Sequence, residues 1–159
     1  MSENRPTKIE AMAVAARRGS FYPAPFDEPV AGRVKRALGN ALGLNQFGVN
    51  LVTLAPGAWS SQRHWHENED EFVYVLEGTG TLVTDDGEST LEAGMAAGFP
   101  AGQPDGHHLV NRSDAPVVYL EVGTRAPEET AHYSDIDIKA RRDGRGGFAF
   151  TRKDGTPIS

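Results

Sequence analysis

The chain has 159 residues, about the length of one domain, and its 38% hydrophobic and 24% charged side chains are ordinary for a globular protein that buries its own core. With 16 basic against 22 acidic groups it carries a formal net charge of −6, which argues against a nucleic-acid backbone or an anionic membrane as partner and leaves a small molecule or another protein. The absence of cysteine excludes disulfides, thiolate zinc sites, iron–sulfur clusters and cysteine nucleophiles, and no apolar run approaches the ~18 residues that span a bilayer.

Residues 1–46 mix charge, proline and small residues without a sustained period, so an arm is expected rather than a domain, with a short helix over 9–18. The apolar run Ala11 to Ala16 is shorter than a signal h-region, and Arg17-Arg18 follow it rather than precede it, so a cytoplasmic location is expected. From Phe47 the pattern changes. Phe47, Val49, Leu51 and Thr53 alternate with Gly48, Asn50, Val52 and Leu54, which predicts a strand. Ala55-Pro56-Gly57 turns the chain. A second strand is expected over 59–65, a polar turn over 67–70, and a third strand, rich in Val, Phe and Tyr, over 71–77. Asp85-Asp86-Gly87-Glu88 marks a hairpin between 81–84 and 89–91. Another strand follows over 95–99, then a long turn and a second hairpin joining 107–111 to 117–122. Seven or eight short strands within 47–122, among 18 Gly and 10 Pro, predict an all-β sandwich or barrel. The tail, 123–159, is polar and Gly-rich, with Ile136, Ile138, Phe148 and Phe150 as its apolar anchors.

Four of the five histidines fall in two pairs, His64/His66 and His107/His108. Residues two apart on a strand share a face, so His64 and His66 project side by side while Arg63 and Trp65 point away. Glu71 follows across the acidic turn, and a hairpin between the second and third strands would set its carboxylate beside the pair. A carboxylate at the mouth of an apolar interior needs compensation, and a metal ion is the simplest. Of His107 and His108, neighbours on a strand, only one can face inward. Gln62 has the parity of His64 and His66 and is the candidate for lining the pocket and touching substrate. Arg63, Arg112 and Arg125 could orient an anionic substrate but read more simply as surface arginines. Phosphate-binding Gly-Lys-Ser/Thr loops, nucleophile elbows and dinucleotide fingerprints are absent.

These residues stand in a pattern that resembles the cupin family. The family's first motif runs Gly, five residues, His-x-His, three or four residues, Glu, six residues, Gly; here Gly57 is followed by six residues, His64-Trp65-His66, four residues, Glu71, six residues and Gly78. The second runs Gly, five residues, Pro-x-Gly, two residues, His, three residues, Asn; here it is Gly94, five residues, Pro100-Ala101-Gly102, four residues, His107, three residues and Asn111. The one extra residue before His64 and the two before His107 fall in turns or at a strand start, where insertions are tolerated. The resemblance implies a double-stranded β-helix, the jelly-roll cupin barrel, over 47–122, with an N-terminal arm (1–46) and a C-terminal extension (123–159). It implies one divalent metal ion per chain, Fe(II), Mn(II), Ni(II) or Zn(II), held by His64, His66, Glu71 and His107, the last favoured over His108 by its spacing to Asn111. It also implies a homodimer, in which the arm or an edge strand is exchanged; Phe21, Tyr22, Phe26 and Val30 would need such a surface to lie on. Four protein ligands leave an octahedral ion two open positions. The expected function is therefore Lewis-acid catalysis on a small oxygenated substrate, such as a sugar phosphate, keto acid or dicarboxylate, by isomerisation, decarboxylation or lyase chemistry, or dioxygenation if the ion is iron with a position for O2. The alternative is a non-catalytic small-molecule-binding or sensor cupin.

Overall fold

A computed structural model describes residues 4–145 and 147–158; residues 1–3 of the expected arm, and 146 and 159 of the expected extension, lie outside the described residues. Thirteen strands are present among the described residues: β1 (Ala16–Arg18), β2 (Arg33–Ala37), β3 (Phe47–Leu54), β4 (His64–His66), β5 (Glu71–Glu77), β6 (Thr79–Thr84), β7 (Gly87–Glu92), β8 (Ala96–Phe99), β9 (His108–Val110), β10 (Val117–Thr124), β11 (Thr130–Tyr133), β12 (Lys139–Arg142) and β13 (Phe148–Thr151). They form a six-stranded sheet in the order β1-β2-β3-β10-β5-β8, a four-stranded sheet β13-β12-β11-β4 and a three-stranded sheet β7-β6-β9. Every pairing is antiparallel, and the architecture is an all-β jelly-roll barrel. No helix among the described residues is long and apolar enough to cross a membrane.

The inner face of the large sheet changes chemistry along its length, and that change places the site. Leu54, Val52 and Asn50 follow one another on the inner parity of β3, while Val117, Tyr119 and Glu121 do so on β10, where they stand opposite those three. On β5 the corresponding series is Val75, Val73 and Glu71. All three strands thus run from apolar to polar in the same direction. The apolar ends pack with Ala58, Leu91 and Leu109 into one core, and the polar ends form the opposite mouth. At the end of β5, Gly78 adopts φ +81°, and a Cβ there would lie 2.4 Å from the Pro116 carbonyl oxygen, so only glycine permits the turn into β6.

A second cluster is assembled from the two ends of the chain: Ala131, Tyr133, Ile138 and Ala140, with Tyr22, Phe26, Ile136, Phe150 and Ile158 against them. The segment expected as an arm lies along its own barrel, with β2 paired to β3 and β1 to β2. Three expectations are corrected. The helix over 9–18 is a 3-10 turn at Ala11–Ala13 followed by β1. The second strand shortens to 64–66, because Ser60 bonds to both backbone groups of Leu109 and its carbonyl accepts from Arg33 at 2.7 Å, which replaces a regular ladder. The hairpin joining 107–111 to 117–122 does not form: β9 pairs with β6 and β10 with β3 and β5. Fully buried Asn111 carries the chain between these sheets, its amide donating to the Leu54 and Ala115 carbonyls at 2.9 and 2.8 Å.

Candidate metal centre

The two histidines of β4 and the carboxylate of β5 meet, but not as hairpin partners. β4 pairs with β11, with His66 opposite Ala131 and His64 opposite Tyr133, whereas β5 lies between β10 and β8 in the large sheet. The turn after β4 is spent crossing between sheets: Glu67 N–H donates to Thr130 O, and Thr124 N–H to Asp70 O, both at 3.1 Å. Glu71 therefore approaches the histidine pair from another sheet. Reciprocal backbone bonds of 2.9 and 3.2 Å join His107 to His64, which brings the third imidazole to the same place.

The donor atoms of His64, His66 and Glu71 lie within 4.8 Å of one another and could hold a metal ion. His64 Nε2 is 3.1 Å from His66 Nε2, which is 2.9 Å from Glu71 Oε1. His107 Nε2 contacts the other oxygen, Oε2. His108 borders the inner cavity of the barrel but is held off the cluster, with Nδ1 2.7 Å from Ser61 O and its ring edge on Trp59. The remaining ring nitrogens reveal what the Nε2 atoms present. His64 Nδ1 lies 2.8 Å from the Gln62 carbonyl, a pure acceptor, so Nδ1 carries the hydrogen and Nε2 offers its lone pair. His66 Nδ1 faces the Glu129 carboxylate at 3.5 Å, which favours a hydrogen there too. Two lone pairs 3.1 Å apart repel unless a cation stands between them.

In the metal-free chain a proton plays that part. Burial opposes charging His66, but the Glu129 and Glu71 carboxylates on either side outweigh it and push the imidazole up to about 10. Burial likewise pushes the Glu71 carboxyl upward, yet the hydrogen bond from His107 and the adjoining His64 and His66 imidazoles hold it well below the usual range. His107 itself is lowered, chiefly by burial. The cluster thus holds an anionic carboxylate among imidazoles and one displaceable proton, the chemistry a divalent ion needs. The rings are held by packing: Phe99 stacks on His107 with centroids 3.5 Å apart, and Tyr133 lies 5.5 Å from His64.

Sequence reasoning missed Glu129. It accepts hydrogen bonds from the Glu67 and Asn68 backbone N–H groups at 2.9 and 3.0 Å and stands 3.5 Å behind His66 Nδ1, a contact of charge rather than a formed hydrogen bond, in the place from which a carboxylate would orient the imidazole if it held a metal. His66, Glu69 and Glu129 also approach within 4.8 Å, but Arg142 already occupies Glu69. The alternation of buried Glu129, Ala131 and Tyr133 is the signal that a strand ran through the tail. Gln62 is buried and donates to the Phe26 carbonyl at 2.8 Å; its carbonyl, not its side chain, meets the cluster. Arg63 ties Asp85 to Asp135 and Gly106 O, and Arg112 pairs with Glu88.

Cavities border the cluster on several sides. A cavity of about 30 Å³ inside the barrel is lined by His64, Glu71, His107, Tyr119 and Glu121. One of about 240 Å³ at the mouth adds His66, Asn50, Arg125, Arg142 and Phe148. Another, of about 400 Å³, lies on the side of Trp65, Asp86, Asp105 and Gln103 and also reaches His66 and His107.

Fold and site together define a small jelly-roll barrel whose polar mouth gathers imidazoles around a buried carboxylate. The cupin-domain family model matches residues 50–123. The crystal structure of a sugar phosphate isomerase from a cupin superfamily, from Silicibacter pomeroyi, is 53% identical, superposes with a TM-score of 0.91 and covers 96% of each chain. That of a candidate sugar phosphate isomerase from Acidithiobacillus ferrooxidans is 29% identical, with a TM-score of 0.71 over 80% of each chain. Oxalate decarboxylase OxdC of Bacillus subtilis is 32% identical over 93 residues, 55% of this chain but 22% of that enzyme, so the chain spans well under half of its length. The chain belongs to the cupin superfamily.

Proposed function

We propose that the protein is a metal-dependent isomerase acting on a small phosphorylated sugar. The observation that carries this reading is the convergence of the His64 and His66 Nε2 atoms, 3.1 Å apart beside Glu71, at the floor of the barrel mouth; the resemblance to the sugar phosphate isomerase from Silicibacter pomeroyi supports the substrate class. His64, His66, Glu71 and His107 are the residues that would hold the ion. Bound there, it would supply a Lewis acid that polarises a substrate carbonyl. Gln62 O and Glu129 keep the two β4 imidazoles turned inward. Glu121 lines the cavity of about 240 Å³ at the mouth together with His66 and Glu71, and Lys35 Nζ steadies it at 3.3 Å. It is the group placed to take a proton from the carbon next to the carbonyl and return it to the neighbouring carbon. The hydroxyl proton passes to the former carbonyl oxygen as the carbon proton is returned, so two protons move within the substrate, nothing is oxidised overall and no co-reactant is needed.

Metal analysis of untagged protein and turnover of aldose and ketose phosphates test the proposal. One ion per chain is expected, with His66→Ala losing both ion and turnover, by at least about a hundredfold in affinity. Full turnover by metal-free His66→Ala would overturn it. Tight sugar phosphate binding with no product after long incubation is the result expected of a binding module instead. A second copy of the chain is the partner we propose for the outer face of the large sheet, where Phe72, Tyr74 and Leu76 of β5 are 44, 39 and 42% exposed. Sedimentation at micromolar concentration should give a dimer, and Tyr74→Glu a monomer.

A further inference from the structure

The largest cavity beside the barrel mouth lies outside the candidate metal centre. It measures about 500 Å³ and is formed where the N-terminal segment meets β2, β11 and β13. Its lining carries three cations, Arg17, Arg33 and Lys35, and no carboxylate. Lys35 is paired with Glu121 at 3.3 Å, so two positive charges remain uncompensated. Arg33 is the more informative of them. It is 8% exposed, it has no ion pair among the described residues, and its guanidinium bonds only to the Ser60 and Gly19 carbonyls, at 2.7 and 2.8 Å. Its Nε is buried without a partner. A buried cation left without a counter-charge is costly, and proteins rarely retain one that nothing neutralises. Arg17 reaches the same cavity from β1, its guanidinium carbon 4.1 Å above the Phe21 ring.

The cavity is continuous in chemistry with the cluster. Tyr133, which lines it, packs on His64 with centroids 5.5 Å apart. Phe148 borders both this cavity and the smaller one that reaches His66 and Glu71. The Lys35–Glu121 pair has one member in each. By contrast, the 400 Å³ cavity on the Trp65 side carries Asp86 and Asp105 and no lysine or arginine; away from the cluster a negatively charged group meets only like charge there.

We infer that the cavity between the N-terminal segment and the C-terminal strands is the subsite for the dianionic phosphate monoester of the substrate, with Arg33 and Arg17 as its cations. Two uncompensated positive charges match two negative ones, and guanidinium forks suit phosphate oxygens. A sugar phosphate seated in this way extends past Tyr133 and the Lys35–Glu121 pair toward Glu71. The inference rests on the reading of the site as acting on a phosphorylated sugar, but its test needs neither metal nor turnover.

Calorimetric titration of the full chain with inorganic phosphate, at constant ionic strength, is that test, run on the wild type and on His66→Ala. Saturable binding is expected in both. Arg33→Gln should weaken it about tenfold, the worth of a charged hydrogen bond, and Arg17→Gln about threefold, as for an exposed charge. Arg33 also holds two carbonyls, so its variant counts only if it melts cooperatively; Arg17→Gln decides otherwise. Phosphate binding that vanishes in His66→Ala, or that survives both arginine substitutions unchanged, overturns the inference. Failure of sugar phosphate turnover with this binding intact would count against the isomerase proposal instead.

Discussion

The barrel core and the terminal cluster are built in opposite ways. Val52, Leu54, Val73, Val75, Val117 and Tyr119 come from long strands of one sheet, each registered against its neighbour. Tyr22, Phe26, Tyr133, Ile138 and Phe150 come from segments more than a hundred residues apart. Both touch the cluster: the barrel supplies Glu71, while β4, bearing His64 and His66, has only β11 as its strand partner in the sheet. Both recognisable motifs lie within 57–111, yet the strand of the first motif that carries two candidate ligands is held by the tail. The difference teaches that the barrel sets where a metal ion would sit, and the termini set whether the side chains that would hold it stay aligned and what reaches them.

The largest expected effect tests that division directly. A chain ending at Thr124 keeps both motifs but loses β11, Glu129 and Tyr133; it should fail to bind metal in equilibrium dialysis, and a truncated chain that still takes up one ion would show the barrel to be self-sufficient. Next comes the barrel core. Leu54 is fully buried, so Leu54→Ala should cost about 3 kcal/mol and lower Tm by roughly 6–12 °C, measured by calorimetry.

Glu129→Gln falls between the two regions. Removing the carboxylate behind His66 should weaken metal affinity about ten- to a hundredfold in a chelator competition while leaving the fold intact. The same pair gives a pH signature. In the metal-free protein, burial works against charging His66, but Glu129 and Glu71 raise it to about 10 from 6.5, so its contribution to stability is complete below 6.5 and is lost as pH rises through about 10. Burial pushes Glu129 upward, but His66 and backbone N–H groups hold it below 4.5, so its contribution is present above 4.5 and is lost as pH falls through the lowered value. Metal-free Tm should therefore decline from pH 6.5 toward 10. Metal affinity should rise over the same range, because uptake expels the proton. Parallel pH profiles with and without metal would refute the shared site.

How much of this was legible follows from what is local and what is not. Side-chain parity is a property of one strand, so His64 and His66 could be placed on one face, and the inner series of β3, β5 and β10 could be read from alternation. Strand pairing is not local. The short acidic turn after His66 suggested a hairpin, but Glu67 and Asp70 bond to Thr130 and Thr124 instead, and nothing near residue 66 announces those partners. Arg33 was hidden for a similar reason: in a segment without periodicity its burial depends on Gly19 and Ser60, 14 and 27 residues away. Glu129 and Tyr133 sat in a stretch whose glycines and charges masked a short alternation.

The smallest effect separates the two regions most finely. Ile138 is 1% exposed at the centre of the terminal cluster, and Ile138→Val removes one methyl group, for about 1 kcal/mol. If the molecule unfolds only as a whole, that loss lowers hydrogen-exchange protection equally at Tyr119 in the barrel and at Tyr133 in β11. If the terminal cluster opens by itself, protection falls at Tyr133 and stays unchanged at Tyr119. The second pattern is expected, since most of the cluster's large side chains are only partly buried and its outermost strand, β13, is half exposed. Because Tyr133 stands opposite His64, such opening would loosen the ligand strand, and added metal should close it: protection at Tyr133 should recover with ion concentration, while that at Tyr119 follows global stability alone.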